Sequence, residues 1–247
     1  MHKKRKMRYT IIILILFAFK TIQGQEKVFS PSLSYFPSIN PDSIAKFERL
    51  KKDFNDIVEK KVKYDRSSSY HRFLMENEMM FYNDGFSTGE EGCSWYCAGG
   101  PSGIFASSTL KSQGSNAYEA TNIHDFTLKT AWVEGESGLG IGEEIVFEFQ
   151  MPETLKVTTL EIYNGYCKSE QIWKANGRVK SFGLYINSKY RGKLNLDDSY
   201  YCQKFKIGSF GCRKGEKMTI GLKIIEVYPG DEDVAISEIN FDGTGDH

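Results

Sequence analysis

From Glu144 to Phe149 the chain reads EIVFEF. Ile145, Phe147 and Phe149 fall on one side of the backbone, and Glu144, Val146 and Glu148 on the other. A period of two residues is the mark of a half-buried β-strand. The approach to this strand, NIHDFTLKTAWVEGESGLGIGE from Asn122, is polar and irregular. It carries Asp125, Thr130 and Trp132, then crosses a glycine-rich turn (Gly135, Gly138, Gly140, Gly142). An acid, a hydroxyl and an indole on a loop that feeds a strand burying aromatics point to a ligand or ion loop on a β-scaffold.

More strands follow. Ile104–Ala106, Leu155–Tyr163, Val179–Ile186, Lys189–Leu196, Cys202–Ile207, Lys217–Val227 and Val234–Phe241 are strand candidates, and the alternation is good in places. Phe182, Leu184 and Ile186 share one face, as do Met218, Ile220, Leu222 and Ile224. Many short strands with turn signals between them predict a mainly β fold, an antiparallel β-sandwich or barrel. The 14 Tyr and 17 Phe give ample material for its core. Net charge is zero and no basic stripe with interleaved aromatics appears, which argues against nucleic acid or an anionic membrane as partner.

Four regions are expected along the chain. Residues 1–24 read as an export signal, with a basic start (Lys3, Lys4, Arg5, Lys6, Arg8) and a short apolar core (Ile11–Phe19) ending near Gly24. The mature chain then has no membrane span and is secreted, periplasmic or held at the cell surface. Residues 25–40, with Pro31 and Pro37, read as a linker. Residues 41–82 read as a helical segment. Ile44, Phe47, Leu50, Phe54, Ile57 and Val58 recur at helical spacing after a cap at Asp42 or Ser43, and a second helix runs from about Ser69 to Met80. These helices either pack locally or dock a partner. Residues 83–247 form the β-domain.

Five cysteines stand at 93, 97, 167, 202 and 212, an odd number. In an oxidising space they are available to pair. Cys202 and Cys212 flank the turn-rich stretch IGSFG, so a bridge across a hairpin is expected. Cys93 and Cys97 are expected to close a tight loop; no second Cys or His pair accompanies them, which argues against zinc. Cys167 is left over.

Asp125, Thr130 and, far along the chain, Glu238 in AISEI form a first constellation. Hard cations take carboxylates with backbone carbonyls, which an irregular loop supplies; without a cation, Asp125 caps a turn and Glu238 pairs with a lysine. An acid loop running into Thr-Ala-Trp, closed by a Ser-Glu-Ile strand, resembles the discoidin or coagulation-factor type C domains, which are galactose-binding-like jelly rolls. The resemblance implies one structural Ca²⁺ held by Asp125, Thr130 and Glu238. The motifs EGCSWYCAGGP, TAWVEGESGLGIGE, NGYCKSEQIWKANGRVKSFGLYIN and EVYPGDEDVAISEINF, in that order, resemble one branch. It is the module that accompanies secreted bacterial NAD glycohydrolases and is linked to their translocation. Cys167 departs from that pattern, where a polar residue is expected.

Trp173, Asn176 and Arg178 form a second constellation: a stacking face beside directional donors, suited to a glycan, a polyol or a carboxylate. The opposite reading is structural, with Asn176 and Gly177 making a turn and Arg178 bonding carbonyls. With Trp132, Glu134 and Tyr166 they make a candidate contact edge. Of four histidines only His124 lies near a motif, and no nucleophile, zinc-protease or phosphate-loop signature is present. Glu134, Glu136, Glu143 and Glu144 read as a solvated acidic loop. The expectation is an exported, non-catalytic binding module for a glycan or a cell-surface protein, or else an interaction module serving a separately encoded exported enzyme.

Overall fold

The computed structural model describes residues 26–33, 41–76, 86–88 and 95–245. The export signal lies outside them. Eleven strands run among these residues: β1 (Val28–Phe29), β2 (Ser32–Leu33), β3 (Gly103–Ala106), β4 (Trp132–Val133), β5 (Glu144–Phe149), β6 (Lys156–Asn164), β7 (Asn176–Ile186), β8 (Lys189–Asn195), β9 (Gln203–Phe210), β10 (Met218–Tyr228) and β11 (Glu232–Thr244). The helices are α1 (Pro41–Val58), α2 (Ser69–Glu76), α3 (Tyr96–Gly99) and α4 (Glu170–Ala175), with a 3-10 helix at Ala120–His124. No helix among the described residues is long and apolar enough to cross a membrane.

The strands form two antiparallel layers. One runs β8-β7-β10-β5-β3, the other β9-β6-β11-β4, and a short parallel contact of β11 with β7 joins them at a corner. The sequence alternation fixes which side chains meet between the layers. Ile145, Phe147 and Phe149 of β5 are fully buried, as are Phe182 and Leu184 of β7 and Ile220 and Leu222 of β10. They share one core with Leu160, Ile162, Phe205, Ile239 and Phe241 from the opposite layer. Phe241 meets Phe147 and Phe149 edge-on, with ring centroids 4.8 and 5.0 Å apart. The fold is the expected antiparallel β-sandwich.

Of the expected linker, residues 26–33 are described, and they carry two short strands. β1 pairs in parallel with β8 and β2 pairs with β9, so Val28–Leu33 covers one edge of each layer. Exposed sheet edges invite unwanted pairing, and a short strap of this kind blunts them. In the helical segment, Phe54, Ile57 and Leu74 pack together, which supports a local hairpin of α1 and α2. The end of the expected second helix, residues 77–80, lies outside the described residues.

The cysteines sit elsewhere than expected. Cys202 and Cys212 do not bridge. The stretch between them is no hairpin but the single eight-residue strand β9, roughly 25 Å long at the usual rise. Cys212 lies in the main core with its Sγ 3.4 Å from the Phe149 carbonyl, whereas Cys202 packs with Cys167, Leu128 and Tyr163 on the far side of the sheet. Cys93 falls outside the described residues, so its pairing with the exposed Cys97 does too.

Candidate functional site

The loop between the 3-10 helix and β4 is built on Asp125. Its Oδ1 accepts the Thr127 backbone N–H at 3.2 Å and its Oδ2 accepts the Thr130 hydroxyl at 2.6 Å. An Asp bonding two residues ahead is the usual side-chain turn. Phe126 takes a positive φ of 61°, a costly conformation for a side chain with a Cβ. It is held there by ring contacts with Tyr96 and His124, at 5.1 and 4.7 Å, and by a bond from the Thr88 N–H to its carbonyl. Burial pushes the Asp125 carboxyl above its ordinary range, opposed by the bonds from Thr130 and Thr127.

Against this loop stands Glu238 of β11, paired across the ladder with Tyr163. It is fully buried, and neither carboxyl oxygen has a hydrogen-bond partner. The backbone amides of Asp125, Phe126 and Thr127 face it and temper the cost, yet none closes to bonding geometry. Burial first, and the nearby Asp125 second, push the Glu238 carboxyl up to about 10. His124 does not neutralise it. The His124 Nδ1 lies 2.8 Å from the Ile239 carbonyl, an acceptor, and 3.6 Å from Glu238 Oε1. Burial holds this imidazole below its usual range, so it stands neutral with the Nδ1 proton on that carbonyl.

A buried carboxylate without partners is costly unless a proton or a cation satisfies it. Asp125, Thr130 and Glu238 together offer only oxygen, the chemistry a hard cation selects. Among the described residues no group of three or more His, Cys, Asp or Glu side chains is placed to hold a metal ion. What the loop offers is two carboxylates and a hydroxyl, oxygen donors without the sulfur or nitrogen that zinc selects.

The corner around Arg178 is different. The dipeptide Asn164-Gly165 ends β6. Gly165 has φ +86°, and a Cβ there would stand 2.6 Å from the Trp173 ring and 2.8 Å from Arg178, so only glycine fits. The buried Asn164 side chain acts as a surrogate ladder partner: its Oδ1 accepts the Val179 N–H at 2.9 Å and its Nδ2 donates to the Val179 carbonyl at 2.7 Å. Ser169 caps α4 by accepting the Ile172 N–H, and α4 delivers Trp173, whose indole N–H donates to the Asn164 carbonyl at 2.7 Å. Arg178 is buried, with its guanidinium stacked on Trp173 at 4.7 Å. It donates twice to the Asp198 carboxylate, both at 3.0 Å, and once to the Asn176 carbonyl. Asn176 Nδ2 donates to the Ile172 carbonyl, and the Tyr166 hydroxyl donates to the Lys129 carbonyl. The donors expected to greet a ligand are bonded inside the domain.

Trp132 and Glu134 also turn inward. Trp132 is fully buried on β4, with its indole N–H on the Ser108 carbonyl at 2.9 Å. Glu134 is fully buried; its Oε2 accepts the Glu136 N–H at 2.9 Å, its Oε1 has no hydrogen-bond partner, and a Cβ at Gly140 would stand 2.8 Å from its Cγ. Burial raises its carboxyl, with Asp233 and Glu143 adding to the rise. Glu143 accepts the Ser107 hydroxyl. The glycine loop is therefore tied down from within, and it presents Leu139 and Ile141, exposed by 51% and 60%, rather than an open acid pair.

Sequence reasoning passed over Asn164, Asp198 and Ser237, the last accepting the Cys167 N–H at 2.8 Å. The Asn-Gly dipeptide at 164–165 was the available signal for the first. Asp198 and Ser237 reach the corner only through the folded sheet.

The model of the NAD glycohydrolase translocation F5/8 type C domain matches residues 95–242, and the chain belongs to that family. The match spans both the Asp125–Glu238 loop and the Arg178 corner. No curated protein matches. Similar solved structures include the C-terminal domain of a chitobiase from Bacteroides fragilis, at 15% identity over 61% of this chain and 96% of that one, TM-score 0.41. CBM32-3 from a family 31 glycoside hydrolase of Clostridium perfringens is 11% identical over 60% of this chain and 92% of that one, TM-score 0.41. The arabinofuranosyltransferase AftD of Mycobacteria, mutant R1389S, is 16% identical over 60% of this chain, TM-score 0.40, and this chain spans 11% of its length.

Proposed function

We propose that the chain is an exported, non-catalytic interaction module of the translocation type, which engages a protein rather than a sugar. The observation that carries this reading is the use of the expected sugar-contacting groups as internal braces within the family-matched segment. Trp132 is buried, Trp173 is stacked under Arg178, and Asn176, Arg178 and Tyr166 donate within the chain. A glycan site needs exposed rings and free directional donors. The glycine loop instead offers the exposed side chains of Leu139 and Ile141, a surface better suited to a protein. The test is a glycan panel run beside immobilised proteins exported by the same cells. Saturable binding to a protein, lost in L139S/I141S, is expected. Saturable sugar binding lost in Trp173→Ala, with the variant still folded, would return the reading to glycan recognition.

Within the same reading, Asp125, Thr130 and Glu238 hold one structural Ca²⁺, for which the partnerless buried carboxylate of Glu238 is the support. The ion would neutralise two burial-strained acids and fix the loop; it supplies no chemistry. Thermal unfolding with calcium and with chelator tests it, because a ligand that binds only the folded state stabilises it by mass action. A calcium-dependent rise in Tm that disappears in Glu238→Gln is expected. An unchanged Tm up to millimolar calcium would leave Glu238 as a buried neutral acid.

A further inference from the structure

Two of the five cysteines are fully enclosed on the outer side of the β6–β9 layer. Cys167 has no measurable exposure and Cys202 has 1%. They share one small cluster with Leu128 and Tyr163, walled by Phe86, Trp173 and Tyr200. The sheet register explains why they meet. Ile162 pairs with Gln203 across the β6–β9 ladder, so the next residues out, Tyr163 and Cys202, lie side by side. The chain turns at Gly165 and brings Cys167 back over them.

That segment is pinned in place from both sides. The Cys167 N–H donates to Ser237 Oγ at 2.8 Å, and the Tyr200 hydroxyl, two residues before Cys202, donates to the Cys167 carbonyl at 2.7 Å. The Cys167 sulfur itself makes long contacts, 3.6 Å to the carbonyls of Asn164 and Gly165, with the Ser237 hydroxyl also beside it. Its thiol is thus placed beside a second cysteine by backbone bonds, not by a demand of its own.

We propose that Cys167 and Cys202, which are not bridged to each other in this structure, form a disulfide pair, closed by exchange with a small-molecule or protein disulfide as the chain folds in an oxidising space. The thiolate of one cysteine attacks the oxidant's disulfide, forming a mixed disulfide and releasing one thiol. The second cysteine attacks that bond, closing the protein disulfide and releasing the other thiol. Two protein thiols are oxidised, one disulfide is reduced, and two protons pass to the released thiolates. Burial pushes the Cys167 thiol up to about 12 in the folded cluster, so exchange belongs to the folding chain, before the cluster closes.

The bond ties the start of the α4 loop to the start of β9. The segment it closes carries the whole brace of Trp173, Asn176, Arg178 and Asp198. This gives Cys167, odd in the motif loop, a partner and a task. In the cell it rests on the proposed export of the chain to an oxidising space; it does not depend on the partner.

The test is oxidative refolding of the full chain in reduced and oxidised glutathione, alkylation in denaturant without reductant, and peptide mapping. A peptide linking residues 167 and 202 is expected. Reduction should split it with a gain of two hydrogens, and reductant should lower the Tm by roughly 10 °C, as opening a loop of this length implies. Separate alkylation of both cysteines, or Cys202 found joined to any other cysteine, would overturn the pairing.

Discussion

Two corners of this sandwich carry the same kinds of side chain and treat them in opposite ways. Around Arg178, the polar groups that face inward have found partners: Asp198, Asn176, Asn164 and Val179 close a self-sufficient network. Around Glu238, a fully buried carboxyl has none, although Asp125 and three backbone amides surround it. A satisfied network costs nothing to keep and asks for nothing from outside. A partnerless acid must hold a proton or meet a cation. The comparison teaches that hydrogen-bond accounting, not residue type, separates architecture from a site.

The Arg178 corner is most vulnerable at Asn164. Asn164→Leu removes both bonds to Val179 while leaving a buried side chain of similar size. The Val179 N–H and carbonyl then lose their only side-chain surrogate in a dry interior. Each buried backbone group left unpaired costs about 1–3 kcal/mol, so a loss of roughly 2–5 kcal/mol in urea unfolding is expected. A loss below about 1 kcal/mol would mean the Arg178 corner is not the rigid brace described above. Arg178→Met should cost less, about 2 kcal/mol, because Asp198 is 39% exposed and water screens the pair.

The opposite corner is sharpened by pH. With chelator present, Glu238 has its folded carboxyl near 10 against an ordinary value of 4.5. A group raised on folding contributes its stability below the lower value and loses it as pH climbs toward the higher one. Metal-free protein should therefore weaken from about pH 5 upward, by at most about 1.4 kcal/mol per pH unit from this residue. Glu238→Gln should flatten that slope, and calcium should offset it in the parent chain. A parent profile as flat as the variant's would show that Glu238 is solvated after all.

The strands could be read from sequence because alternation is local: Ile145, Phe147 and Phe149 declare their face without reference to anything else. The Asp125 loop was legible for a similar reason, since an acid bonding two and five residues ahead is a short-range pattern. Two features of the fold were hidden for one reason. Gly208, with φ +120° inside β9, looked like a hairpin turn but sits where the β6–β9 register slips, between the pairs Val157–Phe210 and Thr159–Lys206. A glycine at an irregularity within a strand and a glycine in a turn have the same spelling. Likewise the bonding of Arg178 is not written in its neighbourhood: Asp198, which takes two of its donors, stands 20 residues on and meets it only in the folded sheet. Pairings made by the folded sheet leave no trace in spacing.

The smallest effect probes whether the Asp125 loop is organised before any ion arrives. Thr130→Val keeps shape and volume but deletes the hydroxyl that donates to Asp125 Oδ2 at 2.6 Å. Asp125 retains its bond from the Thr127 amide, and its partly open position lets water replace what was lost. A single bond to a charged acceptor so placed is worth about 1 kcal/mol, or a few degrees in Tm. That loss should be present in chelator and should grow in calcium, because the variant removes a ligand oxygen as well as a loop bond. Equal losses in both conditions would confine Thr130 to holding the turn, and the cation would then rest on Asp125 and Glu238 with backbone carbonyls alone.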